Sequence, residues 1–600
     1  MANDSDKTAQ SPIDDLLQRR VRRRTVLGGT AAAAAGVLGA GFLRGEASAA
    51  PGGAAARALA LRQESPADAA AAENQVFIVP ADTQGVALDF YETVYKRAAP
   101  ADLNSEPLVR LDRNFQIQPA AAESWSSSSD GKTWTFKIRQ GMMWSDGNPV
   151  TAADFVKTLQ YGADPEHAWD FTWYFQGVIK GWSEVTNPTP GTPTAAPDSI
   201  GVSVGADDYE LIIETVDPAP YLPAMLLYSW PLSKAALEKY GPLYNTKPET
   251  AVSSGPLILT EWTPDQQIVL SKNETYSGTL KVPVTKAIGK FTTPDNNFNL
   301  YQSNEIDYIT NAAPSWVQIM QNDPETAKEI YVGVADFPTY HVFFDVTKAP
   351  FNDLKVRQAW SHVIDRDAIQ KQILGASGKP AYSWLAPGFP ASNSEGLKDI
   401  QAFDPDKGKQ LLADAGFPDG KDFPKQELWL RDSTPNDKDV SAACAAMVKQ
   451  YLNIDVEVVQ KDYQGFMAAL TAKPTQVLLG YVRYGMDFFD PFNMLGVWLS
   501  GGRYSWSNPD YDAKVKAAAQ FLGPTEERIK MFQDAERILV EDVPAVFVYH
   551  GTYVQLTKPW VTGDFLKPDD NGITAMHWPE YTTASTVPQE LYIRNDVPSR

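Results

Sequence analysis

Cysteine is nearly absent from this sequence: Cys444 is the single one in 600 residues. A disulfide framework is therefore excluded. The thiol, set in Ser441-Ala442-Ala443-Cys444-Ala445-Ala446-Met447, reads as a small buried residue on a helix face. Histidine is scarce as well. His167, His341, His362, His550 and His577 are scattered without paired spacing, so no metal-ligand motif is written in the chain. Positive charge is in deficit, with 53 Lys and Arg against 74 Asp and Glu and a net charge of −21. That balance argues against nucleic acid, whose phosphates require a basic surface. Beyond Leu43 no window approaches the ~20 apolar residues of a spanning helix, and no internal repeat is present. Catalytic motifs are equally thin. Gly201-Val202-Ser203-Val204-Gly205 has the spacing of a nucleophile elbow, but it lies in an alternating strand that leads to another strand at Tyr209 to Ile213, where an elbow needs a helix. Gly131-Lys132-Thr133 ends like a P-loop whose first glycine is replaced by Ser126.

What the chain does have is an ordinary globular composition, 43 % hydrophobic and 21 % charged. Its length exceeds what one core sustains, so two or more domains are expected. The N-terminus reads as an export segment. Arg22-Arg23-Arg24-Thr25-Val26-Leu27 carries a twin-arginine pattern, Val26 to Leu43 is weakly apolar and rich in Ala and Gly, and Ala47-Ser48-Ala49 is a cleavage signal. This puts a signal peptide at residues 1–49. An uncleaved anchor is the alternative, but the Ala and Gly content makes a poor spanning helix. No cysteine stands at the cleavage site, which argues against a lipoprotein. Residues 50–72, rich in Ala, read as a flexible linker.

The folded part begins with an apolar strand at Gln75 to Val79. Thr133-Trp134-Thr135-Phe136-Lys137-Ile138-Arg139 alternates polar and apolar residues, the period of a half-buried strand. Thr151 is placed to cap a helix with Asp154 as the acidic arm of a capping box. The Pro/Thr-rich stretch at residues 186–198 is a surface loop, and Ser199 to Val216 returns to strand patterning. Ala235 to Tyr240 is a helix closed by Gly241. Another helix is capped by Asp404, opens with Pro405, turns Leu411, Leu412 and Ala415 inward, and stops at Gly416. A helix after Asp353 ends near Ile364-Asp365-Arg366.

The best candidate site follows the buried strand Val477 to Val482. Asp487 lies in Arg483-Tyr484-Gly485-Met486-Asp487-Phe488-Phe489-Asp490-Pro491, between Met486 and two phenylalanines. A carboxylate in so apolar a neighbourhood needs a partner. Either an internal group, such as Arg483 or backbone N–H, or a ligand cation can supply it. The second candidate is the aromatic segment holding Trp169, Phe171, Trp173 and Tyr174, which serves equally as core or as a ligand-stacking surface.

Leu111 to Phe155, with Trp144-Ser145-Asp146-Gly147 at its centre, closely resembles a signature run of the family-5 solute-binding proteins of ABC importers. Further blocks agree in order: Lys348 to Ala359, Phe403 to Phe417, Tyr504 to Tyr511 and Leu556 to Val561. The resemblance implies an α/β, two-lobed periplasmic-binding-protein-like fold (type II, large three-domain subclass) with a ligand cleft between lobes. It implies a discontinuous lobe I of residues 73–108, 220–333 and 556–600, an extra small domain at 109–219, and lobe II at 334–555. In peptide-binding members an aromatic, two small residues, an aspartate and an aromatic precede Asp/Glu-Pro, and the aspartate receives the peptide's N-terminal ammonium. Tyr484, Gly485, Met486, Asp487, Phe488 and Asp490-Pro491 fit those positions, with Tyr484 where tryptophan is usual and Met486 larger than the usual alanine. Phe171 occupies the place of a ligand-stacking tyrosine. The resemblance thus implies a monomeric, exported, non-enzymatic carrier without cofactor. It would take oligopeptides or a similar solute, deliver them to an ABC permease with its ATPase subunits, and bind no nucleic acid. An oligosaccharide or glycoside binder of the same family is the alternative, and a cell-wall peptide hydrolase a further one.

Overall fold

The computed structural model describes residues 66–82, 85–431, 434–567 and 586–599. The export segment, His577 and most of the linker lie outside the described residues. The linker expected through residue 72 gives way earlier, because Ala69 bridges Arg594 and the Ala70 N–H donates to the Ile593 carbonyl at 2.8 Å.

Local rules place most elements. In the strand Thr133–Ile138 the inward residues Trp134, Phe136 and Ile138 are buried. It pairs antiparallel with Ala122–Ser127 and Glu210–Glu214, and Val202–Val204 completes a four-stranded sheet. Ser203 is an exposed residue of that strand-to-strand unit, and no elbow forms. The Thr151–Asp154 capping box opens the helix Ala152–Ala163, with the Asp154 carboxylate accepting the Thr151 N–H at 2.9 Å. Asp404 caps the helix Pro405–Asp414, and Gly416 ends it at φ +94°. The helix after Asp353 ends earlier than the pattern suggests, at His362. Asp365 starts a new short helix there, and Arg366 turns inward to donate to the carbonyls of Ala381 and Phe547 at 2.8 and 2.6 Å.

Two larger sheets organise the rest. One four-stranded sheet runs Val76–Asp82, Lys286–Thr292, Gln267–Lys272, Leu257–Thr263, with the first pair parallel. The C-terminal segment is tied to it. The Gln75 amide exchanges two 2.8 Å bonds with the Ile593 backbone, and Asp307 accepts both the Ile78 N–H and the Trp560 indole at 2.7 Å. The other is a six-stranded mixed sheet in the order Gly378–Pro380, Ala545–Gly551, Thr339–Phe344, Leu479–Tyr484, Gln426–Leu430, Val456–Gln460. Cys444 lies in a core on one face of it, with Val342, Trp360 and Leu428. Between these two sheets lies a three-stranded one, Tyr308–Ile309, Tyr553–Thr557, Ile330–Gly333. Two of its strands continue directly into the six-stranded sheet, one through residues 334–338 and one through Thr552. These two crossings lie side by side, joined by the Gly551 N–H donating to the Pro338 carbonyl at 2.8 Å.

Candidate functional site

The strands Gln426–Leu430, Val456–Gln460 and Leu479–Tyr484 are mutually parallel, so their carboxyl ends share one edge of the sheet. Loops at that edge can vary without disturbing the sheet, which is why α/β folds put ligands there. Arg431 follows the first strand, Lys461-Asp462-Tyr463 the second, and Gly485-Met486-Asp487-Phe488 the third.

Asp487 is half-buried on this edge. Its Oδ2 accepts the Tyr484 hydroxyl at 2.6 Å and the Asn493 amide at 3.2 Å, while its N–H donates to Asn493 Oδ1 at 2.8 Å. Among the described residues nothing donates to Oδ1, and that atom is not sealed from solvent. Burial raises the carboxyl's pKa; the bonds from Tyr484 and Asn493, then the charge of Arg503, oppose the rise. Arg483 is not its partner. That guanidinium pairs with Asp336 at 3.0 Å, and Asp336 also accepts the Tyr553 hydroxyl at 2.7 Å. The Asp336 carbonyl takes the Met486 N–H at 2.6 Å. Gly485 is required by this close approach, since a Cβ there would lie 2.1 Å from Asp336 Oδ2. Asp490 caps the next helix, Pro491–Gly496, and is clamped by both arms of Arg528 at 2.7 and 2.9 Å.

The two sequence candidates meet. Tyr174 packs edge-on against Phe488 with centroids 6.0 Å apart, and Phe488 stacks on Tyr221 at 5.8 Å. Trp169, Phe171 and Tyr174 are core residues. The Trp169 indole donates to the Phe90 carbonyl at 3.0 Å, Phe171 stacks on Tyr174 at 5.0 Å, and the Tyr174 hydroxyl donates to the Met225 carbonyl at 3.1 Å. With their faces taken up, only Trp173 of the four is open, at 44 % exposure. Tyr484, Met486 and Phe488 are likewise buried.

Sequence reasoning missed Tyr95 and Tyr463, which are 57 % and 52 % exposed. Tyr95 lies within electrostatic reach of both Asp487 and Tyr463, and packs edge-on against Phe171 at 6.0 Å. It also missed Arg431 and Arg503, whose guanidinium carbons sit 5.0 Å from the Tyr463 ring centre and 4.8 Å from that of Tyr484. None of these has a local signal, because each is brought in by strand order or by a loop far off in sequence. Among the described residues no cluster could hold a metal ion, and no helix is long and apolar enough to cross a membrane. A surface depression of about 680 Å³ between Ala442, Ala446, Val456 and Val458 shares no residue with this site.

Sheets joined by paired crossings, with a half-open carboxylate and exposed rings at a strand edge, define an α/β protein of the two-lobed, solute-capturing class. The model of the bacterial extracellular solute-binding proteins, family 5, matches residues 116–506, and the chain belongs to that family. It is 29 % identical over 530 residues to the periplasmic oligopeptide-binding protein OppA of Escherichia coli, covering 86 % of this chain and 94 % of that one. It is 28 % identical over 521 residues to the probable deoxycholate-binding periplasmic protein YgiS of the same organism, covering 83 % and 92 %. Among solved structures, the unliganded open form of the murein tripeptide-binding protein MppA superposes with a TM-score of 0.71 at 24 % identity, covering 88 % of this chain and 99 % of that one. Relatives of near-equal identity thus carry different ligand names, and the choice between ligands falls to the site.

Proposed function

We propose that the chain is the ligand-capturing component of an ABC importer and that its ligand is a peptide held by its N-terminal ammonium at Asp487. The observation that carries this reading is the free Oδ1 of a carboxylate whose Oδ2 is already fixed by Tyr484 and Asn493. An ammonium completes such a group as water or an apolar ligand cannot, because it supplies both charge and donors. Trp173, Tyr95 and Tyr463 line the approach with exposed rings, and Phe171, itself packed on Trp169 and Tyr174, supports Tyr95 and Trp173 from below. Gly485 and Met486 set the depth, and Phe488 holds the loop against Tyr174 and Tyr221.

The domains proposed are lobe I at 73–108, 220–333 and 556–600, the small domain at 109–219, and lobe II at 334–555. The lobes close about the adjacent crossings at 334–338 and Thr552, so the whole strand Tyr553–Thr557 goes with lobe I and the second boundary falls three residues earlier than 556, and a ligand touching both sides stabilises the closed form. Main-chain hydrogen bonds give breadth across peptide sequences. The closed form then docks on a permease. Export by the twin-arginine route, release as a non-lipidated monomer, and the absence of catalysis complete the proposal.

The test compares binding of a free-amine tripeptide and its N-acetylated form to the wild type and to Asp487→Ala by calorimetry. A charge-assisted bond of roughly 1.5–3 kcal/mol predicts a loss of about tenfold or more for the free amine and little change for the acetylated peptide. Equal loss for both refutes the role of Asp487.

A further inference from the structure

The loop that carries Asp487 is held at both ends by one of the crossings between the sheets. At its start, the Asp336 carbonyl accepts the Met486 N–H at 2.6 Å, and Asp336 Oδ2 pairs with Arg483 at 3.0 Å. At its end, the ring of Phe337 lies 5.6 Å from that of Phe489. Neither residue of the crossing is a passive linker. Phe337 is kept at φ +45°, a conformation costly for a bulky side chain. Rings hold it there from both sides: Phe115 of the small domain at 4.9 Å, and Phe389 of lobe II at 5.4 Å in addition to Phe489. Asp336 turns its other oxygen, Oδ1, to the Tyr553 hydroxyl at 2.7 Å, and that hydroxyl accepts from Arg483 at 3.2 Å. Tyr553 opens the lobe I strand Tyr553–Thr557 directly after the second crossing. One carboxylate therefore joins the first crossing, the strand beyond the second, and the lobe II strand that ends in the Asp487 loop.

Resting on the peptide reading and the hinge given above, we infer that Asp336 is a positioning residue that couples the ammonium site at Asp487 to the angle between the lobes. Rotation about the two crossings moves Tyr553 with lobe I and Arg483 with lobe II. The Asp336 carboxylate is bonded to both, so it must turn as they part. Its own carbonyl then draws on Met486, the neighbour of Asp487. Gly485 leaves no slack in this path, because even a Cβ there would lie 2.1 Å from Asp336 Oδ2. Closely packed groups pass such a shift on rather than absorb it. The coupling is reciprocal. An ammonium that fixes Asp487 favours one lobe angle, and a force that parts the lobes turns Asp487 away from its ligand. A permease that pulls the lobes apart would thereby lower affinity at a carboxylate it never touches.

Two substitutions test this. Tyr553→Phe removes one hydroxyl and leaves the Arg483–Asp336 pair, and Asp336→Asn keeps the shape of the side chain without its charge. Calorimetry with Ala-Ala-Ala and its N-acetylated form gives the free-amine preference of each variant, alone and combined with Asp487→Ala. Small-angle X-ray scattering gives the fall in radius of gyration on saturation with Ala-Ala-Ala. The wild type is expected to prefer the free amine about tenfold or more and to contract. Each substitution is expected to lower that preference about threefold or more, to reduce the contraction, and to have no further effect on affinity once Asp487 is replaced. A merely structural role lowers the melting temperature but leaves preference and contraction as in the wild type. That result, or losses that add in the double variants, overturns the inference and leaves the peptide reading standing. Should Asp336→Asn fail to fold, Tyr553→Phe decides alone. A wild type without preference for the free amine refutes the peptide reading and the coupling with it.

Discussion

Glu536 is a buried acid whose protonation bears directly on stability. It lies fully buried in the helix Thr525–Asp542, with Oε1 accepting the Leu385 N–H at 2.7 Å and Oε2 buried without a partner. Burial pushes its pKa from 4.5 up to about 8, against the bond from Leu385. Below the unfolded value both states hold the proton and pH has no effect through this group. Between about 4.5 and about 8 the unfolded chain releases a proton that the folded one keeps, so stability falls as pH rises. Glu536→Gln removes this titration. Relative to its own offset near pH 4, the variant is expected to gain stability over the wild type up to pH 8.5, by the order of 4 kcal/mol. Urea unfolding of both proteins at the two pH values measures it, and parallel pH profiles would count against it. At this scale the sequence was legible where chemistry is local. Asp487 stood out because an acid among Met486, Phe488 and Phe489 needs a partner. Tyr95, Tyr463, Arg431 and Arg503 did not, because their neighbours there are residues distant in the chain.

Elements were more legible than contacts. Caps and periodicity are properties of adjacent residues, so the helices Lys234–Tyr240 and Pro405–Asp414 could be read with their ends, and Ala152–Ala163 with its start. The strand expected at Val477 to Val482 starts two residues later, at Leu479, where pairing with Phe344 begins. An apolar run marks burial, and only the neighbouring strand sets the register. The turn after this strand is the most constrained element of the site. Gly485→Ala puts a methyl 2.1 Å from Asp336 Oδ2, so either the Arg483–Asp336 pair or the Asp487 loop must shift. A loss of ~1–3 kcal/mol in stability is expected, together with weaker binding of free-amine peptides. Thermal unfolding and calorimetry check the two effects, and a variant equal to the wild type in both would show that the turn tolerates the shift.

At the scale of the whole molecule, sequence patterning alone indicates mixed strands and helices in more than one domain, and the family resemblance supplies the lobes. The strand orders were not legible, since Ala545–Gly551 sits beside Thr339–Phe344 across about two hundred residues of chain. One such tie joins Gln75 to Ile593, 518 positions apart. Gln75→Ala leaves the Ile593 N–H unpaired in a buried place while the Ile593 carbonyl keeps the Ala70 N–H, and the expected loss is roughly 1–3 kcal/mol. A urea midpoint unchanged from the wild type would mean that the two ends are held by other contacts.

That tie also bears on the order of assembly. The first strand to leave the ribosome cannot complete its contacts until nearly the last residues have been synthesised. The four strands of its sheet are all made by residue 292, yet the sheet gains its last contacts only as the polypeptide is finished, and until then the early segment remains open to chaperones.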